Sequence, residues 1–259
     1  MAKKIVLDAG HGLSTAGKRT PLGEREWSLN NAVALGIAKI LKNYNVEVKR
    51  VDDITGKKDI SLSERVKRTN KIMPDVFISI HHNAYQGKWG NHTGVEIYYN
   101  KARNKSEEKT LATEMIKKIS SYTGLKNRNV KNENFAVLTC NKKILALLVE
   151  GGFMDSNIDH PVIISKKGQQ AYAKAVAETL IKYLKLTKKT TIPQTTNSAS
   201  RTYSLKQKTL GYYTSNDALK KANARATMLP GNYKIYNEYN GMINITKTSN
   251  QPGAWINPS

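Results

Sequence analysis

Apolar runs of strand length alternate with helical periodicities over the first 184 residues of this 259-residue chain, and that alternation restricts the fold more than any other feature. Ile5-Val6-Leu7 ends in Asp-Ala-Gly, as a buried strand entering a loop does. Val33, Ile37, Ile40 and Leu41 follow at helical spacing, and residues 46–51 alternate like a strand. Ser61 and Glu64 are placed as a capping box ahead of another helix. Residues 76–80 and 95–99 read as two more strands, and 106–123 as a helix stopped by Gly124. A further apolar run covers 144–149, and a last helix, 167–184, carries Tyr172, Val176, Leu180 and Leu184 at steps of four. The expected class is α/β: a twisted, mostly parallel sheet flanked by helices.

In such sheets ligands sit at the carboxyl ends of the strands. Asp8-Ala9-Gly10-His11-Gly12 follows the first strand, His81-His82-Asn83-Ala84 follows residues 76–80, and Glu150-Gly151-Gly152-Phe153 ends the run 144–149. If these strands are parallel, two His-bearing motifs and a carboxylate converge on one rim. Two neutral imidazoles and one carboxylate form a catalytic zinc set with a position left for water. Glu24 or Glu26, just before a helix, is able to supply the carboxylate. Glu150 is then the general base, since an unpaired carboxylate at the end of a buried strand is costly without a purpose. His92 and His160 stand in polar, turn-like surroundings and read as surface residues. The single cysteine, Cys140, excludes a disulfide framework and a Cys-based zinc finger, and reads as a small buried hydrophobe.

Charge narrows the partners. The formal net charge is +22, which steers a chain toward polyanions: nucleic acid, an anionic membrane or an anionic cell wall. The basic residues are scattered rather than gathered in one arm, against a disordered nucleic-acid tail. No run of about 18 apolar residues is present, so no membrane-spanning helix is expected. The N-terminus lacks the roughly 7–15 apolar residues of a secretory signal, so none is expected there. Residues 187–204 are Thr/Ser-rich and polar and form the expected linker. Residues 205–259 carry seven Lys or Arg against two acids, and five of the 13 Tyr. There 217–226 reads as a short helix, and 233–236 and 242–245 as strands around an Asn240-Gly241 hairpin turn. A small α+β or SH3-like module is expected.

Seven blocks of the larger part resemble, in order and spacing from residue 4 to about 184, the zinc N-acetylmuramoyl-L-alanine amidases of the third amidase family. They are Asp8-Ala9-Gly10-His11-Gly12, Glu24-Arg25-Glu26-Trp27-Ser28-Leu29, Leu62-Ser63-Glu64-Arg65-Val66, Ile78-Ser79-Ile80-His81-His82-Asn83-Ala84, Gly94-Val95-Glu96-Ile97-Tyr98-Tyr99, Asn134-Phe135-Ala136-Val137-Leu138 and Leu148-Val149-Glu150-Gly151-Gly152-Phe153. The family has Pro where Ala9 stands and commonly a larger residue where Gly151 stands. The resemblance implies a zinc amidase domain over 1–186, with Zn²⁺ held by His11, Glu24 and His81, Glu24 being preferred to Glu26. It implies Glu150 as the catalytic carboxylate and His82 as a neighbour in place of a small residue. From the residues themselves, Asn83 reads as a turn residue bonded to its own backbone or as one that orients substrate, and Arg65 on its helix as a structural ion-pair partner rather than a substrate contact. The resemblance further implies cleavage of the amide between the lactyl group of N-acetylmuramic acid and L-alanine by a zinc-activated water. The tail is then a wall-binding module, with Tyr212, Tyr213, Tyr236 and Trp255 as contacts to peptidoglycan or its anionic polymers, unless these aromatics only fill a small core. A phage endolysin, held in the host cytoplasm until lysis, is the expectation for the whole chain, with no nucleic acid and no membrane insertion. An exported bacterial autolysin, a zinc peptidase of the stem peptide and a non-catalytic wall or nucleic-acid binder are the alternatives.

Overall fold

The apolar runs of the first part become one six-stranded sheet. The strands are β1 (Lys3–Ala9), β2 (Val46–Arg50), β3 (Val76–Asn83), β4 (Val95–Asn100), β5 (Asn127–Glu133) and β6 (Leu145–Phe153), ordered β2-β1-β3-β6-β4-β5. The computed structural model describes residues 3–103, 105–189, 202–239, 241–248 and 253–258. The chain falls into two units, Met1–Lys189 and Thr190–Ser259. Strands β1, β2, β3 and β6 run parallel to one another. The β4 strand is antiparallel to β6, and β5 is parallel to β4, so the sheet is mixed. The expected strand 95–99 is thus present, but it runs opposite to β1, β3 and β6.

Helices cover the two faces unequally. On one face lie α1 (Glu26–Leu41), α3 (Ser106–Thr123) and α5 (Lys166–Tyr183); on the other lie α2 (Leu62–Ile72) and a 3₁₀ turn, Ala136–Leu138. Each helix forms for local reasons. Buried Leu29, Val33, Ala34, Ile37 and Leu41 give α1 one apolar stripe. Ser61 caps α2 by accepting from Glu64 N, and Ser165 caps α5 by accepting from Gly168 N. Gly124, at φ 76°, ends α3 in a left-handed turn that disfavours most side chains. A four-residue helix, α4 (His160–Ile163), precedes α5.

Alternation along the strands divides the core. Ile5, Leu7, Ile78, Ile80, Val95, Ile97, Leu147 and Val149 pack under α1, α3 and α5. Val6, Phe77, Ala146 and Leu148 face the other way, with Val137, Leu138 and Cys140. Cys140 is buried, as its apolar surroundings suggested.

In the second unit β7 (Thr202–Leu205), β8 (Thr209–Tyr212), α6 (Ser215–Lys220), β9 (Ala224–Met228), β10 (Gly231–Tyr239), β11 (Met242–Thr246) and β12 (Ala254–Ile256) give an antiparallel sheet ordered β7-β10-β11-β12-β8-β9. The expected helix 217–226 is shorter and earlier. Thr214 caps it by accepting from Asp217 N, Lys221 closes it in the left-handed region, and Arg225 and Ala226 belong to β9. The expected β10–β11 pairing forms, and Asn240 of its turn lies outside the described residues. Of the expected linker, 190–201 lies outside them too. At its start, Thr187 O accepts from Asn45 N and Lys189 N donates to Asn43 O; at its end, Thr202 pairs in β7 with Lys234.

Arg65 is the largest fully buried side chain of the described residues, 1% exposed on α2. Its guanidinium pairs with Asp8 Oδ1 and with Asp59 at 3.0 Å, and donates to the carbonyls of Ala9 and His11, each at 2.9 Å, and of Ile60 at 2.6 Å. Removing one partner of a buried pair leaves an uncompensated charge and costs about 3–5 kcal/mol, whereas an exposed pair contributes at most about 1 kcal/mol. Arg65→Met is therefore expected to lower unfolding free energy by about 3 kcal/mol or more. Arg68→Met, which breaks the half-exposed pair to Glu64 on the same helix, is expected to cost under about 1 kcal/mol. Denaturant unfolding followed by fluorescence of buried Trp27 checks both; equal losses would contradict the assignment.

Candidate metal centre

Parallel β1, β3 and β6 bring their carboxyl ends to one edge, as the three motifs required. Gly10 N donates to Ile80 O at 3.0 Å, and His81 is directly opposite Glu150 in the β3–β6 register. Side chains of opposed residues share a face, so His81 and Glu150 lie on the side covered only by α2 and the 3₁₀ turn. His82, one residue on, points to the helical face. There it is 3% exposed, its Nδ1 is 2.8 Å from Asn30 Oδ1, and burial pulls its pKa down to about 4. It is a neutral core histidine.

Among the described residues, the group that could hold a metal ion is His11, Glu26 and His81, whose ligand atoms all lie within 4.8 Å of one another. Glu26 bridges the two rings: Oε2 lies 3.3 Å from His11 Nε2 and Oε1 lies 3.0 Å from His81 Nδ1. The rings meet edge to face with centroids 4.9 Å apart. Burial alone would raise the Glu26 pKa, but the bonds and charges of both imidazoles hold it well below the usual carboxylate range. Burial would likewise lower that of His81, and the facing Glu26 raises it instead. His11 sits at φ 66°, a left-handed conformation rare outside glycine, fixed by Arg65 on its carbonyl. The same fork holds the carbonyl of Ala9, so the loop is restrained where the resembling family has proline. A Cβ on Gly10 would come within 2.0 Å of the His81 ring, so that ring needs glycine beneath it.

The carboxylate of the set is Glu26 and not Glu24, which corrects the choice made from the resemblance. Glu26 is the first residue of α1 and continues its inward stripe, three residues before Leu29 and seven before Val33. That spacing was the available signal. Glu24 lies in the loop before the helix, with its side chain 37% exposed. It accepts from Thr20 Oγ1, which lowers its pKa, and lies 3.5 Å from His160 Nε2. Two of the expected surface histidines are also placed differently. His160 is 8% exposed, with its ring 5.0 Å from that of Trp89. His92 Nε2 lies 2.7 Å from buried Asp155, which also accepts from the backbone N–H groups of Tyr85, Gln86 and Gly87.

Glu150 lies within β6, which continues to Phe153 instead of ending at Val149. Its Oε2 is shut off from solvent with no hydrogen-bond partner among the described residues. Burial pushes its pKa up to about 7; His81 opposes the shift and Glu26 adds to it. Gly151 is explained by packing: a Cβ there would lie 2.0 Å from the Tyr172 ring. Asn83 donates to Glu96 at 3.1 Å and accepts from Ala84 N at 2.8 Å, so its amide is held by its neighbours. A cleft of about 330 Å³, lined by His11, His81, Asp59, Ser61, Leu62 and Arg65, opens beside the cluster. A larger hollow of about 450 Å³ between Asp52 and Arg68 holds none of the three ligands.

In the second unit Tyr213 and Tyr236 are exposed, at 69% and 45%, and the Arg225 guanidinium lies 4.7 Å from the Tyr213 ring centre. Tyr212 is not available for contacts: it is 3% exposed and forms a small core with Ala218 and Met242, on which Trp255 packs.

Two partly buried imidazoles and a buried carboxylate, already assembled, suit Zn²⁺, and the orphaned Glu150 oxygen beside them suits proton transfer. Comparison with known proteins gives the same family as the motifs. Residues 5–182 match the family described as N-acetylmuramoyl-L-alanine amidase. A Staphylococcus epidermidis protein described as a probable cell wall amidase, LytH, is 31% identical over 183 residues, 70% of this chain and 58% of that protein. The endolysin of Bacillus phage SPP1 is 29% identical over 70% of this chain and 67% of its own length. The crystal structure of N-acetylmuramoyl-L-alanine amidase from Clostridium difficile 630 superposes with a TM-score of 0.64 and 30% identity, over 71% of this chain and 97% of that one. By its motifs, its sheet and these matches, the chain belongs to the N-acetylmuramoyl-L-alanine amidase family.

Proposed function

We propose that the first unit hydrolyses the amide between the lactyl group of N-acetylmuramic acid and L-alanine in peptidoglycan, with zinc held by His11, Glu26 and His81 and Glu150 as general base. The observation that carries this is the register of β3 and β6, which sets Glu150 beside the preassembled cluster. When bound, zinc supplies Lewis acidity, lowering the pKa of a water toward about 7 and polarising a carbonyl. Glu26, ionised and fixed at the head of α1, keeps both imidazoles oriented. Arg65 holds the backbone on either side of Gly10, so His11 is presented without rearrangement. The Glu150 carboxylate accepts the proton of the attacking water as its oxygen joins the lactyl carbonyl carbon. Held near neutrality, it returns that proton to the alanine nitrogen as the C–N bond breaks. The products are a lactyl carboxylate and a free peptide amine.

For the whole chain, an endolysin role is supported by the phage relative and by the basic second unit with exposed Tyr213 and Tyr236. That unit holds the anionic polymers of the wall; Tyr and cationic side chains suit such surfaces. Among the described residues no helix is long and apolar enough to cross a membrane.

Zinc affinity tests the ligands. His11→Ala, His81→Ala and Glu26→Gln are each expected to weaken zinc binding by about 100-fold or more, since even outer partners of ligands are worth about 10–100-fold. Glu24→Gln is expected to stay within about threefold of the parent. Competition with a chromophoric chelator measures all four; loss in Glu24→Gln with retention in Glu26→Gln would reverse the assignment.

Activity tests the base. Chelation is expected to stop digestion of purified peptidoglycan, and added Zn²⁺ to restore it. Glu150→Gln is expected to lose about 10²–10⁴-fold in rate with zinc still bound. Mass spectrometry of the products reads the bond that is cut. Fragments severed inside the stem peptide would replace the amidase with a peptidase, and near-parental rates in Glu150→Gln would remove it as the base.

A further inference from the structure

A buried carboxylate that the proposed reaction does not use stands next to Glu150. Glu96 on β4 is directly opposite Glu150 in the antiparallel β4–β6 register, so His81, Glu150 and Glu96 form one row across three strands on one face. Glu96 is 3% exposed and accepts four side-chain donors: Asn83 at 3.1 Å, Tyr98 OH at 2.5 Å, Arg128 Nε at 2.5 Å and Lys131 Nζ at 2.7 Å. Two cations on one carboxylate leave a surplus positive charge. Burying that carboxylate is costly, and Asn83 and Tyr98 alone already give it hydrogen bonds.

The cations are held in place and stay partly exposed. The β4–β5 register slips between Val95 and Ile97, so Arg128 and Asn129 together face Glu96. Asn129 takes φ 71°, and this bulge aims the Arg128 side chain at Glu96. The guanidinium lies over the Phe153 ring at 5.1 Å, and Lys131 Nζ over the Tyr98 ring at 5.7 Å. Their side chains remain 35% and 41% exposed. Arg128 Nη2 makes no hydrogen bond among the described residues, where Nε and Nη1 are bonded to Glu96 and Thr93 O.

We propose that Arg128 and Lys131, locked onto Glu96, form a subsite for a substrate carboxylate on the amine side of the cleaved bond; this rests on the amidase reading above. Adjacent strands lie about 4.8 Å apart, so β5 is about 10 Å from Glu150. An extended peptide advances about 3.3–3.6 Å per residue. The chain leaving the cut therefore reaches the cations two to three residues along. The stem's second residue, a glutamate joined onward through its side chain, carries its first free carboxylate at that distance. On the far side of His81 the cleft presents Asp59, and its Arg65 is fully engaged, which suits the uncharged sugar instead.

The test uses two soluble muramyl tetrapeptides that differ only in whether that second-residue carboxylate is free or a carboxamide. With the zinc-loaded full chain, the acid is expected to exceed the amide in kcat/KM by about 10-fold or more, as for hydrogen bonds to a charged group. The difference is expected in KM. Arg128→Gln and Lys131→Gln are each expected to bring the ratio toward one. Calorimetric binding of the same pair to Glu150→Gln reads the subsite without turnover and is expected to show the same preference. A ratio near one in the parent chain, or a preference that survives both substitutions, would overturn the subsite. Acid-selective binding to Glu150→Gln with no cleavage of either compound by the parent would keep the subsite and overturn the amidase reading.

Discussion

Side chains change face at every residue of a strand, and the whole site depends on three parallel strands obeying that rule in register. Asp8, Ser79, His81 and Glu150 emerge on one side of β1, β3 and β6, while Ala9, Ile80, His82 and Gly151 emerge on the other. The second side is roofed by three long helices and is apolar. The first is roofed by α2 and one 3₁₀ turn, which leaves its carboxyl-end edge open. Adjacent histidines thereby acquire opposite characters: the facing Glu26 raises the pKa of His81, and burial lowers that of His82 to about 4. A shift of one residue in β3 would exchange the two.

Two buried ionic devices keep that edge in working order. Glu26 gathers the two imidazoles, and it occupies the N-terminal turn of α1, where the helix dipole favours a carboxylate. Arg65 does for the backbone what Glu26 does for the rings. Its fork ties α2 to Asp8, Ala9 and His11, so the loop between β1 and the cluster cannot move without breaking several bonds. Both devices are costly to desolvate, and both are completed by hydrogen bonds from neighbouring elements, which is the condition under which buried charge is tolerated.

Much of this was legible in the residues. Apolar runs located β1, β2, β3, β4 and β6, and the helical periodicities located α1, α2, α3 and α5, because those elements are buried on faces whose spacing leaves a pattern. The β5 strand, Asn-Arg-Asn-Val-Lys-Asn-Glu, left none: it is an edge strand with one apolar residue, held by pairing to β4. The direction of β4 was equally silent, since parallel and antiparallel strands present the same alternation. Glu24 and Glu26 differ by two positions in a segment of irregular turns, and only the helical phase of Leu29 and Val33 separates them. In the second unit Tyr212 and Tyr213 are adjacent and chemically alike. Tyr212, the last residue of β8, is core, and Tyr213, just past the strand end, is surface.

Gly151 and Tyr172 carry a consequence for how such a chain can change. The ring of Tyr172 fills the volume that any side chain at 151 would need, so the two positions are a single fitted part made in two pieces. Exchange at 151 first puts a Cβ into an aromatic ring, an overpacked state in the strand that bears Glu150. Exchange at 172 first leaves a void, at about 24 cal/mol for each Å³ not refilled. A side chain at 151 therefore requires a smaller residue, or a moved ring, at 172.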